Sequence, residues 1–119
     1  MKKLFLTLAL GVSLFLPFSS SDARSACQDY VEIMEKCSRR GSEVSGDNVL
    51  FCNNFAEIVT GKFIEILTAR NIDVYEPGVA IFVSEYFKDC RDACLNPNRF
   101  TKNKQKIYNK CQRLLQAVK

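Results

Sequence analysis

Apolar residues return along this chain with the period of an α-helix. Over residues 78–94 they fall at Val79, Phe82, Val83, Tyr86, Phe87, Cys90 and Cys94, the i, i+3, i+4, i+7 spacing of one helical face. Two cysteines four residues apart end the stripe. Residues 27–39 carry the same signature, with Cys27, Tyr30, Val31, Met34 and Cys37 on one side and Asp29, Glu32, Glu35 and Lys36 largely off it. Acid early and base late in that segment suit the helix dipole. Gly41 and the polar run to Gly46 are expected to end it.

A longer helix is predicted from Asp47 or Asn48 to Arg70, with Asp47 as its N-cap. Phe51, Phe55, Ile58, Val59, Phe63, Ile66 and Leu67 form its stripe, widened by Leu50, Cys52, Ala56 and Ile64. So wide a stripe predicts neighbours on more than one side. Gly61 costs about 1 kcal/mol against alanine in such a helix, which predicts close packing against a neighbour there, or else a kink. Residues 71–77 form a connection, with Pro77 at the first turn of the helix that follows. Leu95-Asn96-Pro97-Asn98 reads as a stop. A last helix over residues 101–118 presents Ile107, Tyr108, Cys111, Leu114, Leu115 and Val118. Four amphipathic helices with short joins predict an all-α fold, a small four-helix up-down bundle, with the 78–94 helix as the spine onto which the others pack or bond.

The start of the chain changes the compartment. Met1-Lys2-Lys3, an apolar run from Leu4 to Leu16, Pro17 and the small residues of Ser21-Asp22-Ala23 read as a secretory signal peptide of residues 1–23. The apolar run falls short of the ~20 residues that span a bilayer. The expected mature domain is residues 24–119, and all six cysteines lie in it: Cys27, Cys37, Cys52, Cys90, Cys94 and Cys111. An even number of cysteines behind a signal peptide predicts three disulfides, formed in the bacterial periplasm or outside the cell. Helix geometry restricts the pairing. Cys37, Cys52, Cys90 and Cys94 share one end of an up-down bundle, whereas Cys27 lies a helix-length away and Cys111 about 15 Å along the last helix. Cys27 is therefore expected to join Cys111, while Cys37 and Cys52 pair with Cys90 and Cys94 in either order. A Cys90–Cys94 bond is disfavoured within a regular helix.

The chemistry available is narrow. The chain has no histidine, which removes histidine bases, catalytic triads and imidazole metal ligands. No redox C-x-x-C occurs, and no Gly-rich phosphate loop. Four clustered thiolates are a zinc donor set in principle, but export points to bridges instead, and no metal or cofactor is expected. Glu85, Asp89 and Asp92, like Glu57 and Glu65, sit at helical spacing on or beside polar faces; solvated surface acids are expected, and no catalytic residue is assigned. Charge is uneven. Residues 24–98 hold eight basic and twelve acidic side chains, whereas residues 99–119 hold seven basic ones and no acid. Arg99, Lys102, Lys104, Lys106, Lys110 and Arg113 are the candidate anion-facing surface. Its expected partner is another envelope or secreted protein, or an anionic surface or lipid; export removes the chain from nucleic acid.

Val44-Ser45-Gly46-Asp47-Asn48-Val49-Leu50 followed by Cys52, and Pro77-Gly78-Val79 before an amphipathic helix, resemble the layout of the Rap1a/Tai type immunity proteins. The resemblance covers about half of the expected mature domain. The extra helix with Cys27 and Cys37 departs from it, as do the missing Cys-Pro before the third helix and the missing closing Pro-Cys. It implies an exported, helical, disulfide-bonded protein that neutralises a cell-wall amidase toxin, and it assigns no functional residue here. The reading from the residues is broader: a non-enzymatic binding protein of the bacterial envelope, an inhibitor or immunity protein or an accessory factor of an envelope assembly. The alternative is a lipid or apolar-ligand bundle, with Phe51, Phe55, Phe63, Phe82, Tyr86, Phe87 and Tyr108 lining a seam between helices.

Overall fold

The computed structural model describes the backbone of residues 20–44 and 48–118, with side chains from Ala26 onward. The described residues are helical and carry no strand: α1 (Ser20–Ser42), α2 (Val49–Ala69), α3 (Pro77–Leu95), α4 (Pro97–Lys102) and α5 (Lys104–Ala117). The expected signal peptide lies almost wholly outside the described residues. Its expected cleavage point, after Ala23, falls within the first turn of α1.

The helix α3 is the centre of the molecule, and α1, α2, α4 and α5 all contact it. Its ends are set locally. The Glu76 side chain accepts from the Val79 N–H at 3.3 Å, Pro77 occupies the first turn, and the Asn96 N–H returns to Asp92 O at 2.8 Å. α2 ends in a Schellman motif, with Asn71 left-handed at φ 61 and the Ile72 N–H bonded to Leu67 O at 2.9 Å. Residues 71–76 are a turn, in which Asp73 Oδ1 accepts from the Tyr75 N–H at 2.9 Å.

Aromatic rings from three helices fill the middle of the bundle. Tyr30 meets Phe82 and Tyr86 edge-on, each at 5.7 Å, and Phe63 stacks on Tyr86 at 4.2 Å. Such pairs add about 0.5–1.5 kcal/mol each beyond the area they bury. Three disulfides tie the ends together: Cys27–Cys111 joins α1 to α5, Cys37–Cys90 joins α1 to α3, and Cys52–Cys94 joins α2 to α3. No cysteine is free, so no thiolate remains to hold a metal.

Several expectations are corrected. The last rod is two helices rather than one, so there are five described helices and not four. Pro97 starts α4 immediately after α3, as proline does at a first helical turn. Asn103 then breaks the rod, its side-chain NH₂ donating to Arg99 O at 2.8 Å, a bond that competes with helix propagation. Gly41 does not end α1, which runs on to Ser42. It is buried where a Cβ would collide with the Cys94 carbonyl, so the glycine permits the contact between the ends of α1 and α3. Gly61 has no close neighbour, since a Cβ built there meets nothing within 4 Å. Asp47 lies outside the described residues; Asn48 holds the N-cap position of α2 without a side-chain cap bond. The wide stripe of α2 faces chiefly α3, and Leu50 (67% exposed) and Ile58 (59%) stay in solvent.

Candidate functional site

Two of the bridges bring a third set of residues together. Tyr30 stands three residues after Cys27 on α1, Asp89 directly before Cys90 on α3, and Lys110 directly before Cys111 on α5. The sulfurs hold these helices in register, so their neighbours meet. The Tyr30 hydroxyl donates to Asp89 Oδ2 at 2.6 Å. Lys110 Nζ donates to Asp89 Oδ1 at 2.8 Å and to Glu85 Oε1 at 2.7 Å. Lys88 reaches the other Glu85 oxygen at 3.4 Å. Asp89 is only 9% exposed, so a solvated surface acid is the wrong description of it; both of its oxygens have protein partners.

The charges adapt to this arrangement. Burial alone would pull the Lys110 ammonium down, but its hydrogen bonds to Asp89 and Glu85 outweigh that and hold its pKa above the ordinary lysine value. The Lys110 hydrogen bond holds the Glu85 carboxyl below the ordinary glutamate range. Burial, followed by the charge of Asp89, pushes the Tyr30 phenol well up. A carboxylate held ionised by a lysine is a poor proton donor. The cluster joins α1, α3 and α5 electrostatically at the point where disulfides already join them.

Beside it opens a cleft of about 410 Å³ between α3, α4 and α5. That volume is within the range of small-ligand sites, about 300–1,000 Å³. Arg99, Lys106, Lys110 and Arg113 line it, with Ala93, Phe100 and Ile107 as apolar floor. Asn96, Asn103 and Asn109 add amides, while Asp89 and Asp92 belong to the α3 wall. Among the described residues Arg99, Lys106 and Arg113 have no ion-pair partner; Asp92 is paired with Arg91 at 3.1 Å.

The candidate set for an anion-facing surface is therefore smaller than the basic residues of the sequence. The cleft gathers Arg99, Lys106 and Arg113 as available cations. Lys110 lines it too, but its charge is committed to Asp89 and Glu85. Lys104 pairs with Glu35 of α1 at 2.5 Å, and Lys102 is exposed outside the cleft. Of the expected aromatic lining, Phe63, Phe82 and Tyr86 pack on one another in the core, and the apolar cavity between Phe63, Leu67, Ile72, Val79, Phe82, Leu115 and Val118 holds about 20 Å³. That is room for a group the size of one water.

The Tyr30–Asp89 pairing had no local signal, its partners being 59 residues apart. Asp89 itself had one, since it lies three residues after Tyr86 and seven after Phe82, inside the apolar stripe of α3. No protein-family model, curated protein or solved structure matches this chain.

Proposed function

We propose that this protein is an exported, non-enzymatic binding protein of the bacterial envelope, whose disulfide-locked helices present the basic cleft to another envelope or secreted protein. The observation that carries this reading is the set of three bridges, closing separations of 84, 53 and 42 residues around one small helical domain. Disulfides of this kind belong to oxidising compartments. Among the described residues no helix is long and apolar enough to cross a membrane. The signal-like start accounts for export, with the periplasm or the cell exterior as destination.

In this reading α4 and α5 act as one broken fourth rod of an up-down bundle. The bundle fixes the backbone that carries Arg99, Lys106 and Arg113, so little backbone ordering entropy is lost when a partner docks. An inhibitor or immunity protein, as the Rap1a/Tai resemblance implies, and an accessory factor of an envelope assembly both use such a surface. The test is affinity capture from envelope extract, with the oxidised protein compared with its reduced and alkylated form. A specific envelope or secreted protein retained only by the oxidised form is the expected result. Equal retention by both forms, or none by either, contradicts the reading.

A further inference from the structure

The cationic groups of the cleft are spaced rather than pooled. Lys106, Lys110 and Arg113 stand at i, i+4 and i+7 of α5, on one face of the helix. The middle one is bonded to Asp89 and Glu85, and Lys88 holds the other Glu85 oxygen, so the centre of this row balances two lysines against two carboxylates and keeps no unpaired cation. The outer two, Lys106 and Arg113, are seven residues apart, about 10.5 Å along the axis at ~1.5 Å per residue. Arg99 lies on α4, a separate element lining the same cleft. The row thus offers unpaired positive charge at its two ends and none in the middle.

We propose that the cleft binds an extended acidic segment of a partner protein, with two carboxylates three residues apart on Lys106 and Arg113 and a neutral stretch between them crossing the Lys110 position. In a polyproline-II conformation, with three residues per turn and ~3.1 Å per residue, side chains three apart share a face and stand about 9 Å apart, close to the cation spacing. The apolar floor of Ala93, Phe100 and Ile107 suits small side chains in the neutral stretch. Arg113 supplies a planar fork that holds a carboxylate bidentately. A polymer with a phosphate on every unit places charge opposite a centre that keeps no unpaired cation, and a single phosphate reaches one end only. The proposal rests on the reading that the partner is a protein.

The test titrates the oxidised protein with blocked hexapeptides followed by calorimetry. One carries glutamates three residues apart with alanines between, one carries them adjacent, and one carries glutamines; tripolyphosphate is the fourth probe. The spaced peptide is expected to bind at least tenfold tighter than the other three, and tenfold more weakly at high salt than at low salt. Arg113→Gln and Lys106→Gln each weaken it about five- to tenfold, and Lys102→Gln leaves it unchanged; circular dichroism checks that each variant is folded. Tighter binding of tripolyphosphate, equal binding of the adjacent pair, no peptide binding at millimolar concentration, or an equal loss from Lys102→Gln overturns the proposal. Envelope capture separates its failure from that of the broader reading. A partner retained equally by the Lys106→Gln/Arg113→Gln protein refutes the cleft but keeps the envelope function. Spaced-peptide binding with no envelope partner retained keeps the cleft chemistry and refutes the function.

Discussion

Replacing Lys110 by methionine isolates the electrostatic part of the scaffold. The methionine stem fills the volume of the lysine stem, and the variant loses the ammonium that bridges Asp89 at 2.8 Å and Glu85 at 2.7 Å. The two acids respond differently. The Glu85 side chain is 25% exposed and keeps Lys88 at 3.4 Å, so water and Lys88 recover most of its interaction. The Asp89 side chain is 10% exposed and retains only the Tyr30 hydroxyl. Stripping one partner from a fully buried ion pair costs about 3–5 kcal/mol, whereas an exposed pair is worth about 0–1. Because Lys110 is itself 28% exposed, the cost falls between these limits, at about 2–3 kcal/mol. In a domain of this size that lowers the melting temperature by roughly 8–24 °C. The assay is urea unfolding of the oxidised protein at low salt followed at 222 nm, with midpoint and slope fitted separately. The uncharged amide of Asp89→Asn still accepts from Tyr30, so adding it to Lys110→Met should restore at least 1 kcal/mol, a coupling typical of residues in contact. A single variant within 0.5 kcal/mol of the parent, or a double variant no more stable than Lys110→Met, refutes the reasoning that the buried Asp89 charge is what Lys110 compensates.

Gly61→Ala should raise stability by up to about 1 kcal/mol, because α2 gains helix propensity and the new methyl meets nothing within 4 Å; thermal melts measure it. Gly41→Ala should lower it by about 1–3 kcal/mol or prevent correct oxidation, since the methyl collides with the Cys94 backbone, and the yield of fully bridged protein is the readout. Replacing Cys27 and Cys111 together by alanine should cost about 2–5 kcal/mol in urea unfolding; loop entropy gives about 4.6 kcal/mol for a separation of 84 and about 3.9 for the 42 of Cys52–Cys94. Stability should also fall at both ends of the pH range. Tyr30, Tyr86 and Lys110 titrate higher in the folded protein than the unfolded values near ~10, so the stability they contribute is whole below that pH and is lost as pH rises beyond it. Glu85 titrates lower when folded, so its contribution is whole above ~4.3 and is lost as pH falls through the lowered value; urea midpoints from pH 2 to 11 test both signs.

Much of the scaffold was legible because it is written in periodicity. The apolar stripe over residues 78–94, closed by Pro77 at one end and Asn96-Pro97 at the other, matches α3 to within a residue. One bridge followed from heights along the helices: Cys27 and Cys111 are the two cysteines distant from the crowded end, and the structure joins them, while the order Cys37–Cys90 and Cys52–Cys94 comes from the fold alone. What was not legible depends on partners from elsewhere. Asp89 sits within the apolar stripe, but its charge disguised a buried position whose satisfaction comes from Tyr30 and Lys110 on two other helices. Pro97 carries two meanings, stop and start, and only the first was read. The capping bond from Asn103 to Arg99 O, which splits the last rod, depends on a rotamer that spacing does not record. The basic excess of residues 99–119 was plain, yet only the fold sorts it, committing Lys104 to Glu35 and Lys110 to Asp89 while leaving Arg99, Lys106 and Arg113 around one cleft. The mid-helix position of Gly61 has no structural explanation.

The central claim is that this is an exported domain whose helices are locked by oxidation around the cleft. Intact-mass analysis of the natural protein recovered from the envelope or medium, with non-reducing peptide mapping, tests it most directly. The account predicts a chain beginning after Ala23, lighter by two hydrogens for each of three bridges, with Cys27–Cys111, Cys37–Cys90 and Cys52–Cys94 peptides linked. A full-length chain in the cytosol with six alkylatable thiols would contradict it.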